Sequence, residues 1–174
     1  AQGYLVGQPH KGLQAMFVMM NAARLGVGIQ GLAQSERAYQ GALAYARERL
    51  QSRAPKGAQL ADKPADPIIA QPDVRRMLLS IKALTEGGRL LAAHAYTQLD
   101  AAQSAGDAQV RADAETLVSF LTPIVKACLT EWSIECTYNA QQCFGGHGYI
   151  AEHGMEQLAR DARINIDIHP GLSG

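Results

Sequence analysis

The sequence has 174 residues, of which 47% are apolar and 18% charged, and its 16 basic residues balance its 16 acidic ones. A chain of this length buries one core, so we expect a single domain, and the composition excludes both a disordered chain and a strongly basic nucleic-acid-binding surface. Charges interrupt every apolar stretch before it reaches the roughly 18 residues of a membrane helix, which predicts a soluble, cytoplasmic protein.

The first predicted helix covers residues 13–50. In its later half, apolar residues recur at steps of three, four or seven, which is typical of one buried helix stripe. Its earlier half contains Gly26, Gly28 and Gly31, and each costs about 1 kcal/mol relative to Ala inside a helix. Either close packing against another helix or the approach of a ligand explains these glycines. Residues 53–71 then read as a solvated connection rich in Pro, Asp and Lys.

The second predicted helix begins at Pro72 and Asp73. Proline suits the first helical turn, and a carboxylate suits the positive end of the helix dipole. Apolar residues follow at steps of three and four up to Leu99, which is the strongest amphipathic pattern in the chain, so this helix must lie on other helices. A turn at residues 102–107 precedes the third helix, for which Asp107 is the predicted cap.

The third predicted helix ends near Phe144 at a glycine-rich turn, and a shorter helix follows at residues 151–162. No long strand-like alternation is present, so the expected fold class is all-α, an antiparallel four-helix bundle. We expect residues 1–10 to be a stub of a preceding β domain, residues 11–164 to form the bundle and residues 165–174 to be an irregular tail. The first residues lack the pattern of a signal peptide, which predicts that the sequence starts inside a longer protein.

The cysteines and histidines predict neither a disulfide framework nor a metal site. Cys128, Cys136 and Cys143 are odd in number and lack CxxC spacing, so plain buried thiols are expected. The five histidines form no HExxH or similar pair, and surface or capping roles are expected for them.

Several segments together resemble the C-terminal domain of acyl-CoA dehydrogenases. The sharpest is QQCFGGHGYIAEHGMEQLARDARI at residues 141–164, which is similar to the family's Q-x-x-GG-x-GY and RDA-[RK]-I segments. Residues 3–13 resemble the exit from the family's β domain, and residues 23–51 resemble its long first helix. Residues 62–92 resemble the branch that contains 3-methylmercaptopropionyl-CoA dehydrogenase and broad-range enzymes. The resemblance implies a flavin-dependent subunit of which this chain is the last part.

The resemblance also implies a site for FAD, whose diphosphate and adenosine lie across a subunit boundary. Arg49 matches the arginine that meets the pyrophosphate, a role suited to a permanently charged fork. Gln142, Gly145 and Gly146 match the other contact, where missing side chains let the backbone approach phosphate. Plainer roles are also open, namely an exposed ion pair of Arg49 with Glu48 and a helix C-cap at the glycines.

Further parts of the resemblance concern the substrate and the partners. Arg24 matches a family arginine near the acyl-CoA site, and a role in neutralising a carboxylate of another domain is equally open. Gln51 departs from the Thr-Phe-Gly that usually follows the pyrophosphate arginine, which alters one edge of the FAD contact. The implied partners are an acyl-CoA substrate, an electron-transfer flavoprotein and further copies of the chain in a dimer or tetramer.

The implied reaction is α,β-dehydrogenation of an acyl-CoA, in which a carboxylate takes the α proton and flavin takes the β hydride. Both family positions for that carboxylate lack it, because His169 and Ala23 stand there. Three explanations are open: a truncation, a divergence that abolishes activity, or Asp167 or His169 as the base of a variant enzyme. We therefore assign no catalytic residue and expect the chain to be inactive alone. The alternative functions are a non-catalytic assembly module and an acyl-CoA oxidase-type flavoenzyme.

Overall fold

The computed structural model describes residues 1–167, except for the side chains of Val18, Asn21 and Asp167. The four α-helices are α1 (Gly12–Glu48), α2 (Pro72–Ser104), α3 (Ala108–Phe144) and α4 (Met155–Asp167). Short 3₁₀ turns lie at Ile68–Ala70, Gly145–Tyr149 and Ala151–His153. Within residues 1–167 there is no strand, only an isolated bridge between Leu50 and Pro67. The predicted all-α four-helix architecture is confirmed.

Two clusters of buried side chains show how the helices run. One cluster contains Ala38, Ala42 and Ala46 of α1, Met77, Leu78 and Ile81 of α2, and Cys136, Ala140 and Phe144 of α3. The other contains Leu25 of α1, Ala92 and Ala95 of α2, and Leu121, Val125 and Leu129 of α3. Consecutive helices are therefore antiparallel, and α1 and α3 run in the same direction. We call the ends of the bundle that hold these clusters the Arg49 end and the Arg24 end.

Gly26, Gly28 and Gly31 of α1 fall into two groups. A Cβ on Gly31 would lie 2.7 Å from the Leu129 carbonyl oxygen, and one on Gly28 would lie 3.3 Å from a methyl carbon of Val125. Close packing of α1 on α3 therefore explains these two glycines, since the backbones approach more closely than a side chain permits. A Cβ on Gly26 would meet no atom within 4 Å, so helix packing does not explain that residue.

The boundaries differ from the sequence expectation at several places. The first helix ends at Glu48 rather than at residue 50, and α4 begins at Met155. Helix α4 continues to Asp167, so the start of the predicted irregular tail, residue 165, lies inside a helix. Residues 1–6, which belong to the stub of a β domain expected at residues 1–10, have no regular structure. The predicted Asp107 cap is confirmed, because the Gln109 amide donates to its carboxylate at 2.7 Å.

The connection between α1 and α2 is more ordered than its composition indicates. The Gln51 amide donates to the Asp66 carbonyl at 3.0 Å, and the Asp66 amide donates to the Ser52 carbonyl at 2.8 Å. The fully buried Asp66 carboxylate accepts hydrogen bonds from the amides of Ala54, Leu60 and Gln59 at 2.8 to 2.9 Å. These amides, that of Ala54 most of all, lower the pKa of Asp66. One carboxylate thus organises the loop, a role that the sequence analysis missed.

Two helical runs, Gly12–Glu48 and Ala108–Tyr149, are long and apolar enough to cross a membrane by length and composition alone. A buried core helix of a bundle passes the same test. In the most apolar window of the second run 39% of the residues are buried within the fold, against 12% in the first run. Burial within residues 1–167 therefore does not explain the apolar character of this window of α1.

Candidate functional site

A cavity of about 250 Å³ lies at the Arg49 end of the bundle. Its walls come from the C-terminal ends of α1 and α3, the first turn of α2 and the connecting loop. Arg49, Gln142 and Gly145 all line it. Three of the four residues that the resemblance assigned to one ligand therefore surround one space, and Arg49 is far in sequence from Gln142 and Gly145.

Three helix ends and one cation set the electrostatics of this cavity. The ends of α1 and α3 present carbonyl groups and hence negative partial charge, whereas the first turn of α2 presents amide groups and positive partial charge. Arg49 is the cap residue of α1 and is exposed. Within residues 1–167 it makes no ion pair, including the pair with Glu48 that the sequence left open. Its charge is therefore available to an anion in the cavity.

Gly145 and Gly146 have different reasons for being glycine. Gly145 caps α3 by donating its amide to the Gln142 carbonyl, and its φ of 58° with ψ of −135° is a backbone conformation that side chains oppose. The plainer capping role is thus real for Gly145. Gly146 does not line the cavity, and a Cβ placed on it would meet no atom within 4 Å. Packing within the described part of the chain does not require glycine there.

An aromatic cluster lies beside the cavity, and two of its members, Tyr45 and Phe144, line it. Tyr45 stacks on Phe144 with ring centroids 4.1 Å apart. The Tyr45 hydroxyl lies within hydrogen-bonding distance of His147 Nδ1, at 2.9 Å, and the His147 and His153 rings stack at 5.0 Å. Sequence reasoning gave the histidines only generic surface or capping roles. The cluster joins the glycine-rich turn to the end of α1 beside the cavity.

The thiols at this end are not suited to nucleophilic chemistry. Cys143 lines the cavity and Cys136 lies in the core below it. Burial raises the pKa of each to about 11. Both thiols therefore stay protonated near neutral pH, as expected for plain buried cysteines, whereas Cys128 is only half-buried.

Arg24 does not belong to this site. It lines a separate cavity of about 180 Å³ with Ser119, Thr122 and Pro123. Roughly 37 Å of helix separates Arg24 from Arg49, since each helical residue adds about 1.5 Å. Lys126 is buried nearby, and burial, together with the Arg24 charge, lowers its pKa against the opposing effect of Glu131. Arg24 and Lys126 thus lie at the same end of the bundle, and of the two Arg24 lines the cavity whereas Lys126 does not.

Neither family position for the base is filled by a carboxylate in the described chain. Ala23 is an exposed residue of α1, and His169 lies outside the described residues. The backbone of Asp167 closes α4, and its side chain is likewise outside the description. No group of three or more metal-binding side chains occurs among the described residues.

Comparison with known proteins identifies the fold and the family. The family model for the C-terminal domain of acyl-CoA dehydrogenase matches residues 10–166. The 3-methylmercaptopropionyl-CoA dehydrogenase of Ruegeria pomeroyi is 51% identical over 173 residues, which are 99% of this chain and 29% of that protein. The broad-specificity linear acyl-CoA dehydrogenase of Mycobacterium tuberculosis is 36% identical over 95% of this chain and 27% of its own length.

The solved butyryl-CoA dehydrogenase of Megasphaera elsdenii superposes with a TM-score of 0.70 at 24% identity, covering 91% of this chain and 35% of that one. This likeness supports the bundle fold. The chain spans less than a third of the length of the two curated relatives described above. The match to the family model over most of the sequence shows that the chain belongs to the acyl-CoA dehydrogenase family and corresponds to its C-terminal domain.

Proposed function

We propose that the chain is the C-terminal part of a flavin-dependent acyl-CoA dehydrogenase in which Arg49, Gln142, Gly145 and Gly146 hold the diphosphate of FAD. The supporting observation is the meeting of Arg49, Gln142 and Gly145 around one cavity. Arg49 is the only cationic side chain among the described residues that line it. The bound flavin would supply the hydride acceptor, and the protein supplies binding and orientation.

The residues at the cavity fit a diphosphate. The guanidinium of Arg49 offers paired N–H donors to phosphate oxygens, and the Gln142 amide offers a neutral donor. The open space at Gly146 lets a ligand come close to the peptide backbone. The first turn of α2 adds a favourable partial charge, which opposes the negative partial charge at the ends of α1 and α3. Together these groups recognise an anion by charge and by hydrogen bonding.

The substrate that we propose is an acyl-CoA, with Arg24 near its site. Arg24 brings positive charge to a cavity at the Arg24 end, which suits the oxygen atoms of a thioester or of the CoA phosphates. By family resemblance, we also propose that the electron acceptor is an electron-transfer flavoprotein. The proposed assembly is a dimer or tetramer, and the proposed location is cytoplasmic. Chemistry by this chain alone is not expected, because Ala23 provides no base.

The second candidate is a non-catalytic assembly module derived from the same family. The alanine at position 23, where a family carboxylate is expected, favours this alternative. Flavin binding does not separate the two functions, because a module that lost only its base would keep the Arg49 cavity. Turnover of an acyl-CoA distinguishes the dehydrogenase from the assembly module.

The experiment uses the parent polypeptide, extended to the length of the curated relatives. The dehydrogenase proposal expects a yellow protein with bound FAD that bleaches under anaerobic conditions when an acyl-CoA is added. A yellow protein that does not bleach supports the assembly module, and peroxide formation without another acceptor supports the oxidase-type alternative. A colourless protein that fails to bind added FAD would contradict the flavin site itself.

A further inference from the structure

A further cavity, of about 680 Å³, lies on the exposed face of α2. One lining residue, Lys56, comes from the connecting loop, and the others come from the first turns of α2. Those of α2 are Pro72, Arg75, Arg76, Leu79, Ser80 and Ala83. None of these residues lines the Arg49 cavity, so the two sites are separate.

Three cations and no carboxylate are among the described residues that line this cavity. The cations are Lys56, Arg75 and Arg76, all exposed, and we call them the basic cluster. The whole chain carries 16 basic and 16 acidic residues, so its overall charge does not explain such a concentration. Asp73 is the one described carboxylate that pairs with a member of the cluster, at 2.8 Å from Arg76.

Both arginines of the basic cluster are held in place by one nitrogen. Arg75 donates its Nε–H to the Ile69 carbonyl at 2.8 Å, and Arg76 donates its Nε–H to Asp73. The terminal nitrogens of both side chains have no partner among the described residues. A guanidinium offers these donors in a rigid fork that matches a carboxylate. The cluster is therefore arranged to receive carboxylates from outside the bundle.

An apolar stripe continues from the cavity along α2. Leu79, Ala83, Gly87 and Leu90 follow one another at steps of four, four and three, which place them on one helix face. We call these four residues the α2 stripe. All four are exposed, Leu79 by 66% and Leu90 by 74%. At about 1.5 Å per residue the stripe is about 17 Å long, and the described bundle leaves it uncovered.

Gly87 indicates that another backbone comes close to the α2 stripe. Glycine inside a helix costs about 1 kcal/mol relative to Ala. A Cβ on Gly87 would meet no atom within 4 Å, whereas a Cβ on the neighbouring Gly88 would lie 2.8 Å from a methyl carbon of Leu129. Packing of the described bundle therefore explains Gly88 and not Gly87. Close approach by a helix from outside the bundle explains the second glycine.

We propose that this face of α2 docks an amphipathic helix of a partner protein that carries carboxylates near one end. Its apolar side chains pack on the α2 stripe, and its carboxylates meet the basic cluster. Recognition of an amphipathic helix uses apolar contacts at steps of three and four, which is the spacing of the stripe. Charged groups beside the apolar contact select the partner and its orientation. The surface therefore prefers an acidic helix to a basic one.

A synthetic peptide tests the docking surface. The probe is about 18 residues long, so that it can form a helix, with leucines at steps of three and four and glutamates in its last turn. In an NMR titration we expect saturable shifts at the amides of Leu79, Ala83 and Gly87. A peptide with lysines in place of the glutamates is the matched control and should bind about tenfold more weakly or worse. Added salt should weaken the acidic peptide's binding.

Variants of the chain test the two parts of the surface separately. Arg75→Glu with Arg76→Glu should weaken binding of the acidic peptide about tenfold or more. Arg37→Glu with Arg47→Glu is the control, because it reverses two exposed arginines of α1 outside the cavity. Gly87→Leu should reduce binding by blocking the close approach and should leave the bundle as stable as before, since the site is open. Circular dichroism and thermal unfolding check the fold of each variant.

The remaining outcomes identify a different occupant and overturn the proposal. Equal affinities for the two peptides, or binding that survives reversal of Arg75 and Arg76, would exclude recognition of an acidic helix. Binding to vesicles of phosphatidylserine and phosphatidylcholine through the same arginines, without binding to the peptide, would make the surface a lipid-binding one. Loss of self-association in Gly87→Leu, measured by sedimentation velocity, with no peptide binding by the unsubstituted chain, would make a second copy the occupant.

Discussion

The two ends of the bundle differ in how completely this chain covers its own helices. At the Arg49 end the connecting loop, the glycine-rich turn and α4 surround the core, and a defined cavity results. At the Arg24 end, by contrast, α1 runs from Gly12 to Leu25 before its first buried side chain, among those that the structure describes. Leu13 and Phe17 are 70% and 52% exposed there. The core of the first end is thus enclosed by this chain's own segments, whereas the second end presents an exposed apolar helix face.

Substitutions at Gly31 and Gly26 should give the largest expected difference in stability between the packed and the open part of α1. Gly31→Ala should destabilise the fold by about 1–3 kcal/mol, because the added carbon meets the Leu129 backbone, which cannot move aside like a flexible side chain. Gly26→Ala should stabilise it by up to about 1 kcal/mol, since the site is open and Ala favours helix. Urea denaturation measures both, and similar effects of the two substitutions would contradict the packing difference.

The uncovered face of α1 should drive self-association. An exposed apolar patch favours burial against another copy, so we expect dimers or tetramers without flavin. Phe17→Lys should weaken this association about tenfold or more, and Leu79→Lys, which changes an equally apolar exposed residue of α2, is the control. Sedimentation velocity over a concentration series measures the effect. Strictly monomeric unsubstituted protein would contradict the prediction.

Asp66 should make the Arg49 end sensitive to acid. Because the folded state lowers the pKa of Asp66, its stabilisation is present above the ordinary aspartate pKa of about 4 and is lost as the pH falls through the lower folded value. Asp66→Asn should lower the melting temperature by several degrees at pH 7 and reduce the loss of stability below pH 4. Asp62→Asn, in the same loop, should do neither. Thermal unfolding at several pH values distinguishes the two variants.

The smallest expected effect concerns the cysteines. Cys136 and Cys143 should resist a thiol-specific reagent at pH 8, because both are buried and the pKa of each is raised to about 11. Cys128 is less buried and should react first. Mass spectrometry of partly labelled protein shows the order, and early labelling of Cys143 would indicate that the Arg49 end opens more readily than its packing indicates.

Local sequence patterns predicted the helices well. The spacing of apolar residues by three and four positions reflects the geometry of a single helix and needs no information about distant segments. The start of α2 was identified from Pro72 with Asp73, and the end of α3 at Phe144 from the glycine-rich turn that follows it. Family resemblance, not periodicity, placed Arg49 with Gln142. Their meeting around one cavity agrees with that assignment, whereas the binding of FAD by these residues stays a proposal.

Other features depend on contacts between distant segments and had no local signal. The role of Asp66 arises from amides that the loop folds around it, and its sequence context reads as ordinary turn composition. The contact between the glycine-rich turn and α3 likewise forms only because the turn folds back, so that the Gln141 side chain donates to the Gly148 carbonyl. The glycines of α1 could be recognised as costly, but only the position of Leu129 shows that Gly31 is required and Gly26 is not.

The phosphate site is tested most directly by mapping pyrophosphate binding on the amide NMR spectrum of this chain. We expect the largest shifts at Gln142, Gly145 and Gly146, saturating with added ligand, and we expect their loss in Arg49→Ala. The Arg24→Ala variant should bind as the unsubstituted chain does, because Arg24 lies at the other end. Shifts centred on Arg24 and Thr122, or shifts at Gly145 that persist without Arg49, would contradict the assignment of the diphosphate to the Arg49 cavity.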